Sequence, residues 1–309
     1  MRPPASRFAW SWRGQPVAVA HEEVGDGPLP VLCLPAFSTI STREELRPVA
    51  ELLAARGFRC TLLDWPGFGE SDRPPLDHGP ELVRAFLAGF AAGHGPGLGV
   101  LACGHAAGYA LGLARDRPGL VVALALVAPT WRGPLPTAMG EHRRPAYARV
   151  RRAIRAPVLG ELLYRANTAA PVLRLMMRRH VYGDPAAVTP AVVATKRAVA
   201  RRPGARFGSA AFVTGALDPV PDRAAFLALL SPPPAPALVL RGEATPPRSA
   251  AEMEAMAALP GVEGQRVPGA LSPHEEHPAA VAALVGRFLR RHLGPPRDAG
   301  GERAGPPPG

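Results

Sequence analysis

Short apolar runs that read as buried strands alternate with stretches of helical periodicity along most of the chain, and this alternation narrows the fold more than any other feature. Such an order buries a mostly parallel central sheet between helices on both faces. The strand-like runs are residues 31–34, 58–63, 99–103, 121–127, 237–240 and 264–267. They are short and apolar, as strands covered on both sides are. Residues 42–56 carry Leu46, Val49, Leu52 and Leu53 at helical spacing, with Gly57 placed to end the helix. Further helices are expected at 81–92, 105–115, near 223–230, at 250–258 and at 279–292. At the amino end, residues 8–12 and 16–21 flank Arg13-Gly14 as a hairpin. Residues 294–309 are rich in Gly and Pro and read as a disordered tail.

Only residues 131–208 break the alternation, and they also carry the charge. The chain's net charge is +11. Residues 1–130 hold 11 basic and 12 acidic side chains, and residues 209–309 hold 9 and 10. The middle stretch holds 16 basic and 3 acidic, a net +13. It reads as amphipathic helices: Arg149, Arg151, Arg152 and Arg155 precede an apolar face of Val158, Leu159, Leu162 and Leu163. Leu173, Leu175, Met176 and Met177 repeat the pattern before Arg178, Arg179 and His180. Two readings stand, a solvated Arg-rich face or a surface for anionic lipid head groups or another anionic ligand. No nucleic-acid-reading motif accompanies the charge, so a nucleic-acid partner is not expected.

Of the 309 residues, 47% are hydrophobic and 20% charged, enough for a large core. The longest apolar run, 120–128, falls well short of the roughly 18 residues that a membrane span needs. Residues 1–14 lack the apolar segment of a secretory signal, so a cytoplasmic protein is expected. Cys33, Cys60 and Cys103 are odd in number and widely spaced within apolar runs. They fit buried thiols in a reducing compartment better than a disulfide framework or a metal site, and neither a metal nor a cofactor is expected.

The stretch Val100-Leu101-Ala102-Cys103-Gly104-His105-Ala106-Ala107-Gly108-Tyr109 runs from a buried strand straight into a helix. Two glycines four apart allow a sharp turn and a tight helix–strand approach, the geometry of a nucleophile elbow, G-x-S-x-G. With this turn the chain resembles the α/β-hydrolase superfamily, of AB hydrolase-1 type, over roughly residues 7–293. Asp64-Trp65-Pro66-Gly67-Phe68-Gly69-Glu70-Ser71 is similar to that family's D-x-P-G-x-G-x-S loop. The Trp12-Arg13-Gly14 hairpin and Leu240-Arg241-Gly242 followed by Pro246-Pro247 fit as well. The chain looks most like a cyanobacterial and chloroplast subgroup with P-A-F-S, G-H-A-A-G-Y and P-T-W-R-G-P-L-P segments, in which alanine replaces the elbow serine. The resemblance implies an α/β-hydrolase fold with an inserted helical cap. Residues 1–130 and 209–293 would form the core, and 131–208 the basic cap.

The chemistry departs from that family at each position that matters. The elbow residue is Ala106, whose methyl cannot attack a carbonyl. The position implied for the acid is Thr245, and that implied for the histidine is Leu271. Pro35-Ala36 replaces the H-G pair, although the amide of Ala36 or Phe37 is still expected to point inward with that of Ala107. Two histidines are rescue candidates. His274 follows Leu271 by three and could be oriented by Glu275 or Glu276, while His105 precedes the elbow residue. Asp64 is expected to hold the Gly67–Gly69 loop, and Asp218 to end a turn, cap a helix or serve as a displaced acid. Ser38, Thr39, Ser41 and Thr42 either cap the next helix or line the pocket mouth. Ala36, Phe37, Ser38, His105, Ala106 and Ala107 are expected to line a ligand pocket, with Trp131, Thr245 and Leu271 opposite.

The function expected from this pattern is non-hydrolytic binding of a hydrophobic or amphipathic small molecule between core and cap. The alternative is a hydrolase, or a cofactor-free lyase or isomerase, with His274 or His105 as its base.

Overall fold

A computed structural model describes residues 5–140, 142 and 144–294; residues 295–309, most of the expected tail, lie outside the described residues. Eight strands form one sheet: β1 (Ser6–Trp12), β2 (Gln15–Val24), β3 (Leu29–Leu34), β4 (Phe58–Leu63), β5 (Leu98–Cys103), β6 (Val121–Val127), β7 (Ala237–Gly242) and β8 (Val262–Val267). Their spatial order is β1-β2-β4-β3-β5-β6-β7-β8. β2 runs antiparallel to both its neighbours, and every pairing from β4 to β8 is parallel. Arg13 and Gly14 both have positive φ, as a two-residue hairpin turn that follows the twist of its strands requires.

The apolar strands read in both directions. In β5, Leu98, Val100 and Ala102 join one apolar layer, while Leu101 and Cys103 join the other. In β6, Leu124 and Leu126 face the first layer, and Ala123, Ala125 and Val127 the second. Successive side chains of a strand point to opposite faces, so an unbroken apolar run fills two cores at once.

The helices follow in chain order. α1 (Arg47–Ala54), α2 (Pro80–Ala92) and α3 (Ala106–Asp116) connect the first parallel strands. Six helices stand between β6 and β7's approach: α4 (Pro134–Met139), α5 (Arg144–Arg155), α6 (Pro157–Asn167), α7 (Ala170–Met176), α8 (Pro190–Ala200) and α9 (Ala205–Val213). α10 (Arg223–Ala228), α11 (Pro247–Ala257), α12 (Pro273–Glu276) and α13 (Pro278–Leu293) complete the chain. α1 and α13 cover one face of the sheet, and α2, α3, α10 and α11 the other. The three cysteines are buried and unbridged, as their apolar surroundings predict. No helix among the described residues is long and apolar enough to cross a membrane.

The inserted helices have a small core of their own, in which Leu173, Met177, Tyr182, Val188 and Val193 pack with Ile40 from the loop after β3. Arginines tie them to the rest of the molecule, largely through backbone carbonyls. Arg202 donates to Gly69 O at 2.8 Å, and Arg155 to Leu76 O at 2.7 Å. Arg73 donates in the other direction, to Pro203 O at 2.8 Å. Asp64 holds the Gly67–Gly69 loop as expected. It accepts the Glu70 amide at 2.8 Å and the Arg43 amide at 2.7 Å, and it pairs with the Arg43 guanidinium. A Cβ at Gly69 would fall 2.2 Å from the Asp64 carboxyl carbon, so only glycine fits there.

Candidate active site

The strand-to-helix turn is present, but its strained residue is not the one the motif indicates. Gly104 takes the left-handed conformation, at φ +54°. Ala106 does not have positive φ; it opens α3 as a helical residue and is 0% exposed. The sharp bend therefore falls two residues before the expected apex. Glycine carries it with little strain, whereas a nucleophile elbow places its reactive residue in the strained conformation. Gly108 is needed for packing, since a Cβ there would come within 2.5 Å of the Pro219 ring.

The two expected oxyanion amides are both engaged. Ala107 N donates to Gly104 O at 3.2 Å, closing the turn. The Ala36 amide donates to the Glu45 carboxylate and helps to hold its negative charge. The Ala107 amide thus completes the bend, and the Ala36 amide supports a buried acid.

Apolar side chains fill the region above the turn. Phe37, Ala106, Ala107 and Trp131 belong to one buried cluster, with Leu271 packed on it half-buried. Phe37 stacks on Trp65 at 4.6 Å between ring centres, and the Trp65 Nε1 donates to Pro35 O. Ser38 accepts the Ile40 amide, and Thr42 caps the 3-10 turn Arg43–Glu45, so these hydroxyls act as loop and helix caps. Thr245 donates its hydroxyl to Ala270 O at 3.2 Å, and the Leu271 amide donates to Val181 O in the inserted segment. The implied acid and histidine positions thus serve as loop ties. Two cavities of about 340 and 530 Å³ lie elsewhere, one beside β8 and α13, the other along α6.

His105 sits beside the turn, buried under α9. Its Nδ1 shares a hydrogen bond with Thr130 Oγ1 at 2.8 Å, and its ring edge meets Phe212. Its Nε2 faces Asp218 Oδ1 at 3.5 Å and makes no hydrogen bond. Asp218 is occupied on both oxygens, by the Gly133 amide at 2.8 Å and by Arg144 at 3.0 Å. It therefore anchors the start of the inserted helices, and Asp222 is the residue that caps α10. Trp131 Nε1, also buried, has no partner.

His274 lies on α12, a four-residue helix that periodicity is too short to reveal. It is 1% exposed, and neither ring nitrogen has a hydrogen-bond partner. Burial holds its pKa down at about 4, against the pull of Glu275. The proposed orienting acids are engaged elsewhere. Glu275 pairs with Lys196 at 2.6 Å, and Glu276 accepts the Gly183 and Ala270 amides. The carboxyl facing His274 is instead Glu45, at 4.0 Å. Burial, aided by Glu275, pushes Glu45 up to about 8 despite Lys196 at 3.6 Å. A neutral imidazole and a protonated acid this deeply enclosed do not form a working general base. Glu45, His274 and Glu275 bring ligand-type atoms within 4.8 Å of one another, but the Lys196 ammonium already supplies the cation there. Glu45 and Lys196 are the residues the motifs missed. They stand 151 positions apart and meet only through the fold.

The alpha/beta hydrolase family profile matches residues 31–284. No curated protein matches the chain. Among solved structures, a thermophilic esterase from Thermogutta terrifontis is 25% identical, with a TM-score of 0.66 over 93% of this chain and 99% of its own. Cfl2 from Burkholderia cenocepacia is 24% identical, with a TM-score of 0.70 over 92% and 95%. The haloalkane dehalogenase DatA from Agrobacterium tumefaciens is 19% identical, with a TM-score of 0.68 over 93% and 97%. With its strand order, its turn into α3 and this match over most of its length, the chain belongs to the alpha/beta hydrolase family.

Proposed function

We propose that this protein is a non-hydrolytic member of the family that binds a hydrophobic or amphipathic small molecule between the sheet and the inserted helices. The observation that carries the reading is the turn itself. Ala106 offers a methyl in a relaxed helical position, and the amides that would steady an oxyanion are already bonded. Serine acyl chemistry needs nucleophile, base and oxyanion donors as a unit, and a methyl at the turn supports a reading without it. The resemblance to an alanine-for-serine subgroup supports the same reading.

Two observations favour a ligand with a polar end. Trp131 Nε1 and His105 Nε2 are buried near the apolar cluster without hydrogen-bond partners. Unsatisfied buried groups of this kind disfavour an empty resting state. An acceptor on a bound molecule would satisfy the indole, while apolar atoms would lie against Phe37 and Ala106. Because α9 covers His105, binding requires α9 to move outward.

Native mass spectrometry of the purified full chain tests the reading: a co-purifying adduct, released on denaturation, is expected. Fluorophosphonate probes should leave the protein unlabelled, and Ala106→Ser should not raise ester hydrolysis above background. Labelling of a residue at the turn, or ester turnover that His274→Ala abolishes, would overturn the proposal.

A further inference from the structure

We infer that α6 and α7 form a landing face for a bilayer carrying anionic lipid. The inference is independent of what occupies the region above Ala106.

Val158, Leu159, Leu162 and Leu163 repeat at i, i+1, i+4 and i+5, so they share one side of α6. That side faces outward. Val158 is 75% exposed and Leu162 61%, while Gly160 and Tyr164 face inward, where Tyr164 bonds Ser209. Val172 and Leu175, on one side of α7, are also exposed, with Leu173 turned into the small core beneath. Burying these side chains would be favourable, and nothing among the described residues buries them. A soluble surface scatters single apolar residues, but it rarely groups long aliphatic ones on consecutive helices.

The charge around the patch selects the partner. Arg149, Arg152, Arg174, Arg178 and Arg179 are exposed on α5, α7 and the turn that follows, and none makes an ion pair among the described residues. The acid on α6, Glu161, is itself paired with Arg165 and Arg206. Exposed aliphatic side chains on α6 and α7, flanked along the chain by exposed guanidinium groups without ion pairs, match an acyl region lying beneath anionic head groups. The patch also lacks Trp, Tyr and Phe, the residues that usually anchor protein–protein contacts. Beside it, Pro157, Val158 and Leu162 line the groove of about 530 Å³, with Arg165 and Arg206 among its walls. Glu161 also lines this groove and pairs with both of those arginines, so the groove offers apolar walls while the head-group cations come from the unpaired arginines.

Co-sedimentation of the full chain with vesicles tests this. Vesicles of phosphatidylcholine and phosphatidylglycerol in equal parts should bind the protein at low salt. Phosphatidylcholine alone should not, and added salt should release it. Leu159→Asp with Leu162→Asp should weaken binding by at least about tenfold. Arg174→Gln and Arg178→Gln should each weaken it by about fivefold. All four positions are exposed, so melting should be unchanged and folding loss is separable from binding loss. The inference is overturned if anionic vesicles leave the protein in the supernatant, or if the double aspartate variant still binds fully. It is equally overturned if the wild-type chain ignores vesicles and instead forms a dimer that the double variant dissolves.

Discussion

Two buried charge clusters sit at the carboxyl ends of the strands, and they are built on opposite terms. Around Arg43, each charge meets its complement: the guanidinium pairs with Asp64, with Glu70 at 2.6 Å and with Glu22 at 3.1 Å. Asp64 also collects two amides. Around His274 the pairing is incomplete. Lys196 supports Glu275 and Glu45, but the imidazole and Glu45 Oε1 have no hydrogen bond. The first cluster is a fixed pin for the Gly67–Gly69 loop. The second stays enclosed only by giving up charge, with the histidine neutral and Glu45 protonated near neutrality.

The contrast is sharpest in Asp64→Ala. Removing Asp64 deletes the most buried partner of Arg43 and the acceptor of two amides, while Glu22 and Glu70 still face the guanidinium, and should destabilise the fold by about 3–5 kcal/mol. Urea unfolding would measure it, and a loss below about 1 kcal/mol would mean that the pin is no more than a surface contact. Lys196→Met should come next, at about 2 kcal/mol, because Glu275 keeps its burial and loses its cation. If that variant proved as costly as Asp64→Ala, the two clusters would be equivalent.

Titration separates them at smaller amplitude. The folded pKa of His274, about 4, lies below the ordinary 6.5, and so does that of buried His78, also about 4. The unfolded chain therefore takes up protons first, and stability should fall as pH drops from 6.5 towards 4. Glu45 has the opposite sign. Its folded pKa, about 8, exceeds the ordinary 4.5, so the unfolded chain loses its proton first, and stability should fall as pH rises from 4.5 towards 8. Two histidines outweigh one carboxyl on the acid side, so the melting temperature should peak near pH 6.5. Glu45→Gln should flatten the alkaline limb and steepen the acid one, and a profile unchanged by that substitution would remove Glu45 from the account. The smallest effect is expected for His274→Leu. Its nitrogens make no hydrogen bonds, so at pH 7 the change should stay within about 1 kcal/mol, as calorimetry would show.

The order of strands and helices was legible because each short apolar run, such as 121–127, serves both faces of the sheet and so stands out from the polar turns around it. The residue types at the implied triad positions, Ala106, Thr245 and Leu271, were legible directly. The displaced bend was not. Counting places Ala106 at the apex, but which residue takes positive φ depends on backbone torsions that a motif does not contain. The Glu45–Lys196–His274 cluster was hidden for a different reason: its members come from three distant segments, one of them in the inserted helices. Asp218, expected to end a turn, cap a helix or serve as a displaced acid, instead holds Gly133 and Arg144, some eighty residues away, a pairing that local sequence does not contain.

Several arginines that join the two parts of the molecule grip peptide oxygens, as Arg155 does at Leu76 and Pro75. A peptide oxygen bears a partial charge only, so these grips hold geometry without cancelling the cation. They are also indifferent to acidity, since neither partner titrates in the working range. Fastenings of this kind let a side chain hold the molecule together and still contribute to the positive charge of residues 131–208.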